Sequence, residues 1–131
     1  MRLVIDASAC LEVCLAAAGF ELLADHELAA PPLIRSEVLS ALRSLDWRRT
    51  VSSELVRQAR ERIPTMPIAH ETGPDHLART WSVATRLGWA KTYDAEYVAL
   101  AEQLGVPLLS VDLRLKRGAG ALVQILTPLD L

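Results

Sequence analysis

The sequence has few of the residues from which disulfide frameworks and zinc sites are built. Only two cysteines are present in 131 residues, Cys10 and Cys14. Their spacing is that of neighbours on one helix face, not the Cys-x-x-Cys spacing of a metal or redox site, and two thiolates alone do not complete a zinc site. We therefore expect both thiols to pack in the core of a protein from a reducing compartment.

The chain also lacks an excess of positive charge and a membrane-spanning run. The 14 Lys and Arg residues are outnumbered by 16 Asp and Glu, for a net charge of −2. That balance argues against a protein that coats nucleic acid, although it leaves room for a local basic patch. No uncharged stretch approaches the roughly 20 residues of a transmembrane helix. Asp6 interrupts the apolar start of the chain, so we expect no signal peptide and a cytoplasmic protein.

Motifs for nucleotide binding and for serine nucleophiles are absent as well. The sequence contains no Gly-x-Gly-x-x-Gly fingerprint, no phosphate-binding P-loop and no nucleophile elbow. The three histidines, His26, His70 and His76, lie in polar segments without a second ligand at helical spacing, and we expect them at the surface. Carboxylates are the candidates for chemistry that remain.

Apolar residues make up 51% of the chain and occur in short runs that alternate with amphipathic helices. Such alternation is typical of an α/β fold with a mostly parallel central sheet. The length fits one domain, residues 1–131. Strands are predicted at 2–6, 28–30, 66–69, 108–111 and 123–126. Helices are predicted from a cap at Ser8 to about 19 and at 33–47, 53–62, 75–87 and 93–104, with a short turn or helix at 113–116. In the 75–87 helix, the apolar residues predicted to face inward are Leu77, Trp81, Ala84 and Leu87.

Four carboxylates differ from the other acidic residues by their context. Asp6 and Asp112 end two apolar strands, at the sheet edge where parallel α/β folds place their sites. Asp94 lies in TYDAEYVALAE on the apolar side of its helix, and Glu37 flanks the apolar stripe of the 33–47 helix. Each alone has an ordinary explanation as a helix cap, a first-turn acid or an edge residue. Together they favour a divalent cation, and all-oxygen ligands suit Mg²⁺ or Mn²⁺.

Three stretches spread over nearly the whole chain resemble one family. They are LVIDASACLE, PPLIRSEVLSAL and TYDAEYVALAEQLGVPLLSVDLRL, which are similar to PIN domains and in particular to the VapC-type toxins of prokaryotic toxin–antitoxin pairs. The resemblance implies a three-layer α/β/α sandwich with a mostly parallel central sheet, and the activity of a metal-dependent ribonuclease. It further implies that Asp6, Glu37, Asp94 and Asp112 are the catalytic, metal-binding quartet.

The same resemblance suggests residues and partners for the reaction. Ser8 matches a small hydroxyl residue after the first acid, Ser110 a position where the family often has Thr, and Arg114 a basic residue after the fourth acid. With Lys116 they are the expected substrate-binding residues, because RNA phosphates need cations near an acidic pocket. The expected reaction is hydrolysis of a phosphodiester by metal-activated water. The expected partners are a cognate VapB-type antitoxin, RNA, and a second copy of the chain in a homodimer.

Two other interpretations remain open on the sequence. An aspartate-type phosphatase also carries acids at strand ends, but a second Asp would follow its nucleophile two positions later, where this chain has Ser8. A catalytically silent PIN-like module would bind a partner without cleaving RNA, and the intact quartet argues against it. Residues 49–74 resemble the family weakly, and the HETG at 70–73 matches no pattern.

Overall fold

A computed structural model describes residues 1–131, in which five strands alternate with six helices. The strands β4 and β5 are each two residues long, shorter than predicted. Three short 3-10 turns complete the backbone, at Gly19–Leu23, Ile63–Thr65 and Pro128–Asp130. The strands are β1 (Arg2–Ile5), β2 (Glu27–Ala30), β3 (Ile68–His70), β4 (Leu108–Leu109) and β5 (Ile125–Leu126), and the helices are α1 (Ala7–Leu15), α2 (Ile34–Trp47), α3 (Ser53–Arg62), α4 (His76–Leu87), α5 (Tyr93–Leu104) and α6 (Leu113–Ala119).

All five strands run parallel, in the order β3-β2-β1-β4-β5. From β1 the chain adds β2 and β3 on one side and then places β4 and β5 on the other. The register sets Val4 beside Leu108 and Ile5 beside Leu109. The change of direction between β1 and β4 opens a crevice at their carboxyl ends, which is where parallel α/β sheets bind ligands.

Helices complete a three-layer α/β/α sandwich, as predicted. The helices α1, α2 and α3 pack against one another, while α4 packs against α5, which contacts β1 and β4. Because a parallel sheet is covered on both faces, its central strand is apolar throughout its buried part. Leu3, Val4 and Ile5 are accordingly fully buried. Both cysteines lie in the same core, as expected. None of the helices combines the length and the apolar character needed to cross a membrane.

Helix α1 begins and ends differently from the prediction. Its N-cap is Asp6, whose carboxylate accepts a hydrogen bond from a backbone N–H of the first turn, whereas Ser8 lies inside the helix. The helix then stops at Leu15 instead of continuing to about Gly19. The guanidinium of Arg62, at the end of α3, donates hydrogen bonds to the backbone carbonyls at and just beyond the end of α1. Those carbonyls therefore have partners without a further helical turn.

Helix α4 turns a different face to the core from the predicted one. Leu77 and Trp81 are 82% and 72% exposed, although the apolar spacing placed them inward. His76, predicted at the surface, is buried instead, and 2.9 Å separates its Nε2 from Oε1 of Glu96 on α5. This contact gives a buried polar ring its partner, and a helix that buries its first residue must turn the next one outward. The prediction was therefore wrong for Leu77, Trp81 and His76, whereas Ala84 is buried and Leu87 packs against the core, as predicted.

Candidate active site

The carboxyl ends of β1 and β4 each deliver an aspartate to the crevice. Asp6 follows β1, is 4% exposed, and accepts hydrogen bonds on Oδ1 from the backbone N–H of Ala9 (2.9 Å) and the hydroxyl of Ser8 (2.6 Å). Asp112 follows β4 and accepts hydrogen bonds on Oδ1 from the N–H groups of Arg114 (2.9 Å) and Leu115 (3.4 Å). Both aspartates are therefore helix N-caps, of α1 and of α6. The capping role fixes one oxygen of each carboxylate and leaves the second for another partner.

Two helices add the other carboxylates. Glu37 lies in the first turn of α2 and accepts a hydrogen bond on Oε1 from the hydroxyl of Tyr97, at 2.6 Å. Tyr97 is buried on α5, three residues after Asp94. Asp94 itself is exposed and makes no hydrogen bond through its side chain. It lies on the same side of α5 as the buried Tyr97 and Val98, as predicted. It is nevertheless exposed, because the first turn of α5 opens onto the crevice.

Three of the four carboxylates line one cavity of about 550 Å³, termed the acidic cavity. They are Glu37, Asp94 and Asp112. The buried Asp6 does not line this cavity, yet the charge of Asp94 raises its pKa and its own charge raises the pKa of Glu37. The remaining walls come from the turn after α4, the start of α5 and the start of α6, and include Trp89, Lys91, Tyr93 and Arg114.

Burial and neighbouring carboxylates raise the pKa of Asp6 and of Asp94. Burial raises the pKa of Asp6, hydrogen bonds from the backbone of Ala9 and from two serine hydroxyls lower it, and repulsion from Asp94 raises it further. Partial burial likewise raises the pKa of Asp94, with a contribution from Asp112, while the guanidinium of Arg114 opposes the rise. Each of these carboxylates therefore responds to at least one other member of the quartet.

Glu37 belongs to the same electrostatic unit. Partial burial raises its pKa, the hydroxyl of Tyr97 acts in the opposite direction, and repulsion from Asp94, Asp6 and Glu96 adds to the rise. Glu96 is thus a fifth carboxylate near the site, held in place by His76. Acids that raise one another's pKa are stabilised in their charged form by a cation.

The donor chemistry of the site fits a hard divalent cation. Carboxylate oxygens are the ligands that Mg²⁺ and Mn²⁺ prefer, and no histidine or thiol lines the acidic cavity. In the conformation described, no three acidic, histidine or cysteine side chains stand close enough together to hold one ion. Closing the site around a cation therefore requires side-chain rotation, and Asp94, which has no hydrogen bond to lose, is the side chain most free to rotate.

The residues predicted to bind substrate divide into two kinds. The hydroxyl of Ser8 donates to Asp6, accepts from the N–H of Val111 at 3.1 Å and lies 3.3 Å from the hydroxyl of Ser110. Ser110 is buried, and its hydroxyl accepts from the N–H of Asp112 at 3.1 Å. Both serines therefore tie the ends of β1 and β4 together. Their predicted contact with substrate stays a prediction.

The two basic residues also separate in space. Arg114 lines the acidic cavity with a side chain that is 92% exposed, and its Nε lies 3.8 Å from Oδ1 of Asp112. Lys116 is exposed on α6, does not line the cavity, and its charge acts on Asp130. Lys91 also lines the cavity. Arg114 and Lys91 are therefore the two basic residues in the wall of the acidic cavity.

Comparison with known proteins agrees with this geometry. A family model for the PIN domain matches residues 3–121. The chain belongs to the PIN domain family, as the resemblance of its three stretches indicated.

Relatives within that family carry the name VapC. The chain is 34% identical to VapC ribonuclease Mb0985 of Mycobacterium bovis and to ribonuclease VapC9 of Mycobacterium tuberculosis, over 114 residues that cover 86% of this chain and 87% of each relative. It is 35% identical to ribonuclease VapC1 of Mycobacterium tuberculosis over 97 residues, 73% of this chain and 71% of that protein. The crystal structure of PAE2754 from Pyrobaculum aerophilum shares the fold, with a TM-score of 0.67 and 22% identity over 98% of this chain and 92% of that one.

Proposed function

We propose that the chain is a divalent-metal-dependent endoribonuclease and the toxin of a type II toxin–antitoxin pair. The observation that carries the proposal is the arrival of four carboxylates from four separate elements at the crevice between β1 and β4. Asp6, Glu37, Asp94 and Asp112 are its proposed catalytic and metal-binding residues. The names of the VapC ribonucleases to which the chain is similar support RNA as the substrate.

Each carboxylate has a distinct part in the proposed site. A bound Mg²⁺ or Mn²⁺ lowers the pKa of a coordinated water and neutralises charge that develops on the phosphate. Asp6 and Asp112 each present an oxygen whose position the adjoining helix fixes. Glu37 presents an oxygen oriented by Tyr97. Asp94 completes the set by rotation of its side chain. Ser8 and Ser110 keep the two strand ends at a fixed separation.

The substrate needs positive charge to approach this site. Arg114 and Lys91 line the acidic cavity, so a scissile phosphate between them meets the cations required to offset repulsion by the carboxylates. Lys116, two residues further along α6, extends this positive surface to neighbouring phosphates. Replacing Arg114 or Lys116 by Ala is expected to weaken RNA binding and reduce its salt dependence, with little change in Mn²⁺ affinity.

A cleavage assay on the purified chain tests the proposal. The wild-type chain should cleave single-stranded or looped RNA in the presence of Mg²⁺ or Mn²⁺, and this cleavage should stop in excess EDTA. Asp6→Asn should abolish cleavage without altering the circular dichroism spectrum, because Asn keeps the acceptor that caps α1. Asp25→Asn, at an exposed aspartate outside the site, is the matched control. Full activity in Asp6→Asn or in EDTA would exclude the proposed mechanism.

The toxin role brings further proposals. A toxin must be held inactive in its own cell, so we propose a cognate VapB-type antitoxin as its partner, a homodimer as the unit it binds, and the cytoplasm as the location. Expression of wild type alone should slow growth, and co-expression with the product of the adjacent reading frame should restore it and yield a stable complex. Normal growth on expression of an active chain would contradict the toxin role.

A catalytically silent interaction module is the second candidate. The specific observation in its favour is that no three potential ligands are grouped closely enough to hold an ion. In that case Mn²⁺ should bind no more tightly to wild type than to Asp6→Asn in a calorimetric titration, and no RNA should be cleaved. An aspartate-type phosphatase has no support, because the position two residues after Asp6 is a serine that donates to it.

A further inference from the structure

The positive charge of this acidic chain is concentrated in one segment. Residues 35–62, which form α2 and α3, contain seven of the 14 basic residues and four of the 16 acidic ones. The segment therefore carries a net charge of +3, and the rest of the chain carries −5. The turn between the two helices holds Arg48 and Arg49 together, directly after Trp47 at the end of α2.

Trp47 presents an unusually open aromatic surface at this turn. Its side chain is 76% exposed, and the guanidinium carbon of Arg43 lies 5.3 Å from the ring centroid, a cation–π contact that covers one face. The cavity beside it, of about 700 Å³, is lined chiefly by charged and polar residues. Arg43, Trp47, Arg48 and Arg49 are termed the hairpin tip.

Arg49 occupies a backbone position that normally belongs to glycine. Its φ is 55°, and it is the only residue other than glycine with positive φ. Its N–H donates to the carbonyl of Asp46 and the N–H of Thr50 donates to that of Leu45, which is the Schellman pattern of a helix end. Glycine adopts this conformation without strain, whereas a residue with a Cβ is strained there. An arginine at a strained position points to a use for its guanidinium.

We propose that the hairpin tip binds an unpaired nucleotide of the RNA substrate, with the base stacked on the open face of Trp47 and the adjoining phosphate held by Arg48 and Arg49. The proposal rests on the ribonuclease function proposed above and adds a subsite to it. Trp47 lies ten residues after Glu37 on the same helix, about 15 Å along its axis. One strand of RNA can therefore reach both the acidic cavity and the hairpin tip.

The lining of this cavity favours RNA over a protein partner. A peptide helix needs an apolar groove for its anchors, whereas Trp47 and Val51 are the only apolar residues among the seven that line the cavity. Single-stranded nucleic acids are bound by the combination seen here, an exposed aromatic ring among basic side chains. Arg43 contributes less charge than the other two arginines because Asp46 lies 3.3 Å from it.

Affinity for a labelled, unstructured RNA of about 12 nucleotides tests the subsite, with the full chain carrying Asp6→Asn to prevent cleavage. Trp47→Ala should weaken binding about fivefold to a hundredfold, the effect of losing one stacked base, and Trp47→Phe should restore most of it. Trp81→Ala removes an equally exposed tryptophan from α4 and should bind like the parent.

Arg49→Gly separates binding from folding at the same turn. It should lower RNA affinity and reduce the dependence of log Kd on log salt by about one, while its melting temperature equals or exceeds that of the parent. The charge control is Arg86→Ala, which removes an arginine of α4 that pairs with Glu102 of α5. A lower melting temperature for Arg49→Gly would mean that the arginine serves the turn and not the RNA.

Two results would overturn the subsite. One is equal RNA affinity for Trp47→Ala and Trp81→Ala. The other is unchanged RNA affinity with lost binding of the co-expressed antitoxin, which would assign the hairpin tip to the protein partner. Binding that depends on Trp47 in a wild-type chain that never cleaves RNA would instead refute the proposed ribonuclease and leave the subsite standing.

Discussion

Helix α2 joins two regions of opposite character. At its first turn Glu37 enters the crevice between β1 and β4, where three of the four carboxyl groups have a raised pKa. At its last turn Trp47 and the arginines beside it are exposed. The quartet thus lies at the sheet edge, while the hairpin tip lies on an exposed turn. In the proposed function, reaction and recognition occur at different ends of one helix, which is how an acidic protein would act on a polyanion.

The largest effect is expected at the acidic end. Glu37→Gln keeps an oxygen that accepts from Tyr97 but removes the charge. We expect kcat for RNA cleavage to fall on the order of 100-fold, the upper limit of the 10–100-fold typical of residues that only orient ligands. RNA affinity should change little. Glu12→Gln, at an exposed glutamate of α1, is the control. If Glu37→Gln lost RNA affinity but kept kcat, the result would contradict the proposed separation of reaction and recognition between the two ends of α2.

The second effect concerns the rigidity of the acidic end. His76→Ala leaves Glu96 without its partner in the α4–α5 interface, and an unpaired buried group costs about 1–3 kcal/mol. We expect that loss in the free energy of unfolding, measured with urea. Trp81→Ala on the same helix removes a far larger but exposed side chain and should stay within about 0.5 kcal/mol. If Trp81→Ala lowered the free energy of unfolding more than His76→Ala, the exposed face of α4 would contribute more to stability than its buried contact with α5.

The sequence predicted the fold and the family because each rests on local signals. Apolar strands that end in Asp6 and Asp112 identify the sheet edge, and the alternation of strands with helices gives the three layers. Helical periodicity predicted the correct face of α5 for Asp94 but not its exposure, and the surface position predicted for His76 was wrong. That periodicity cannot show that a first turn opens onto a crevice or that a buried histidine finds an acid on another helix. No pattern along the chain could pair Tyr97 with Glu37, 60 residues apart.

That long-range pair supplies the third prediction. Tyr97→Phe keeps the buried ring and removes only the hydroxyl that donates to Glu37. Because an orienting contact to a proposed metal ligand is lost, we expect cleavage to fall about tenfold and stability by about 1 kcal/mol. Ser40→Ala, which removes an exposed hydroxyl from α2 outside the acidic cavity, is the control. Loss of stability with full activity would show that Glu37 needs no orientation.

The smallest effect tests whether the acidic end lacks a cation. Burial and the charge of Asp94 raise the pKa of Asp6, so its ionised form destabilises the metal-free fold. For a raised pKa the stabilising contribution is present at low pH and is lost as the pH rises through the folded-state pKa. At neutral pH in EDTA, Asp6→Asn should therefore melt about 2–4 °C above wild type, because it keeps the oxygen that caps α1 and removes the charge.

A metal should reverse that order. Mn²⁺ should bind the folded wild type and raise its melting temperature by linkage, whereas Asp6→Asn lacks a proposed ligand and should respond less. Asp112→Asn is the comparison, because Asp112 stabilises α6 through two N–H groups and its charge favours the helix N-terminus, so its gain in EDTA should be smaller. If Asp6→Asn melts below wild type in EDTA and keeps the full Mn²⁺ shift, Asp6 serves only as the cap of α1. The two ends of α2 would then differ only in their surface charge.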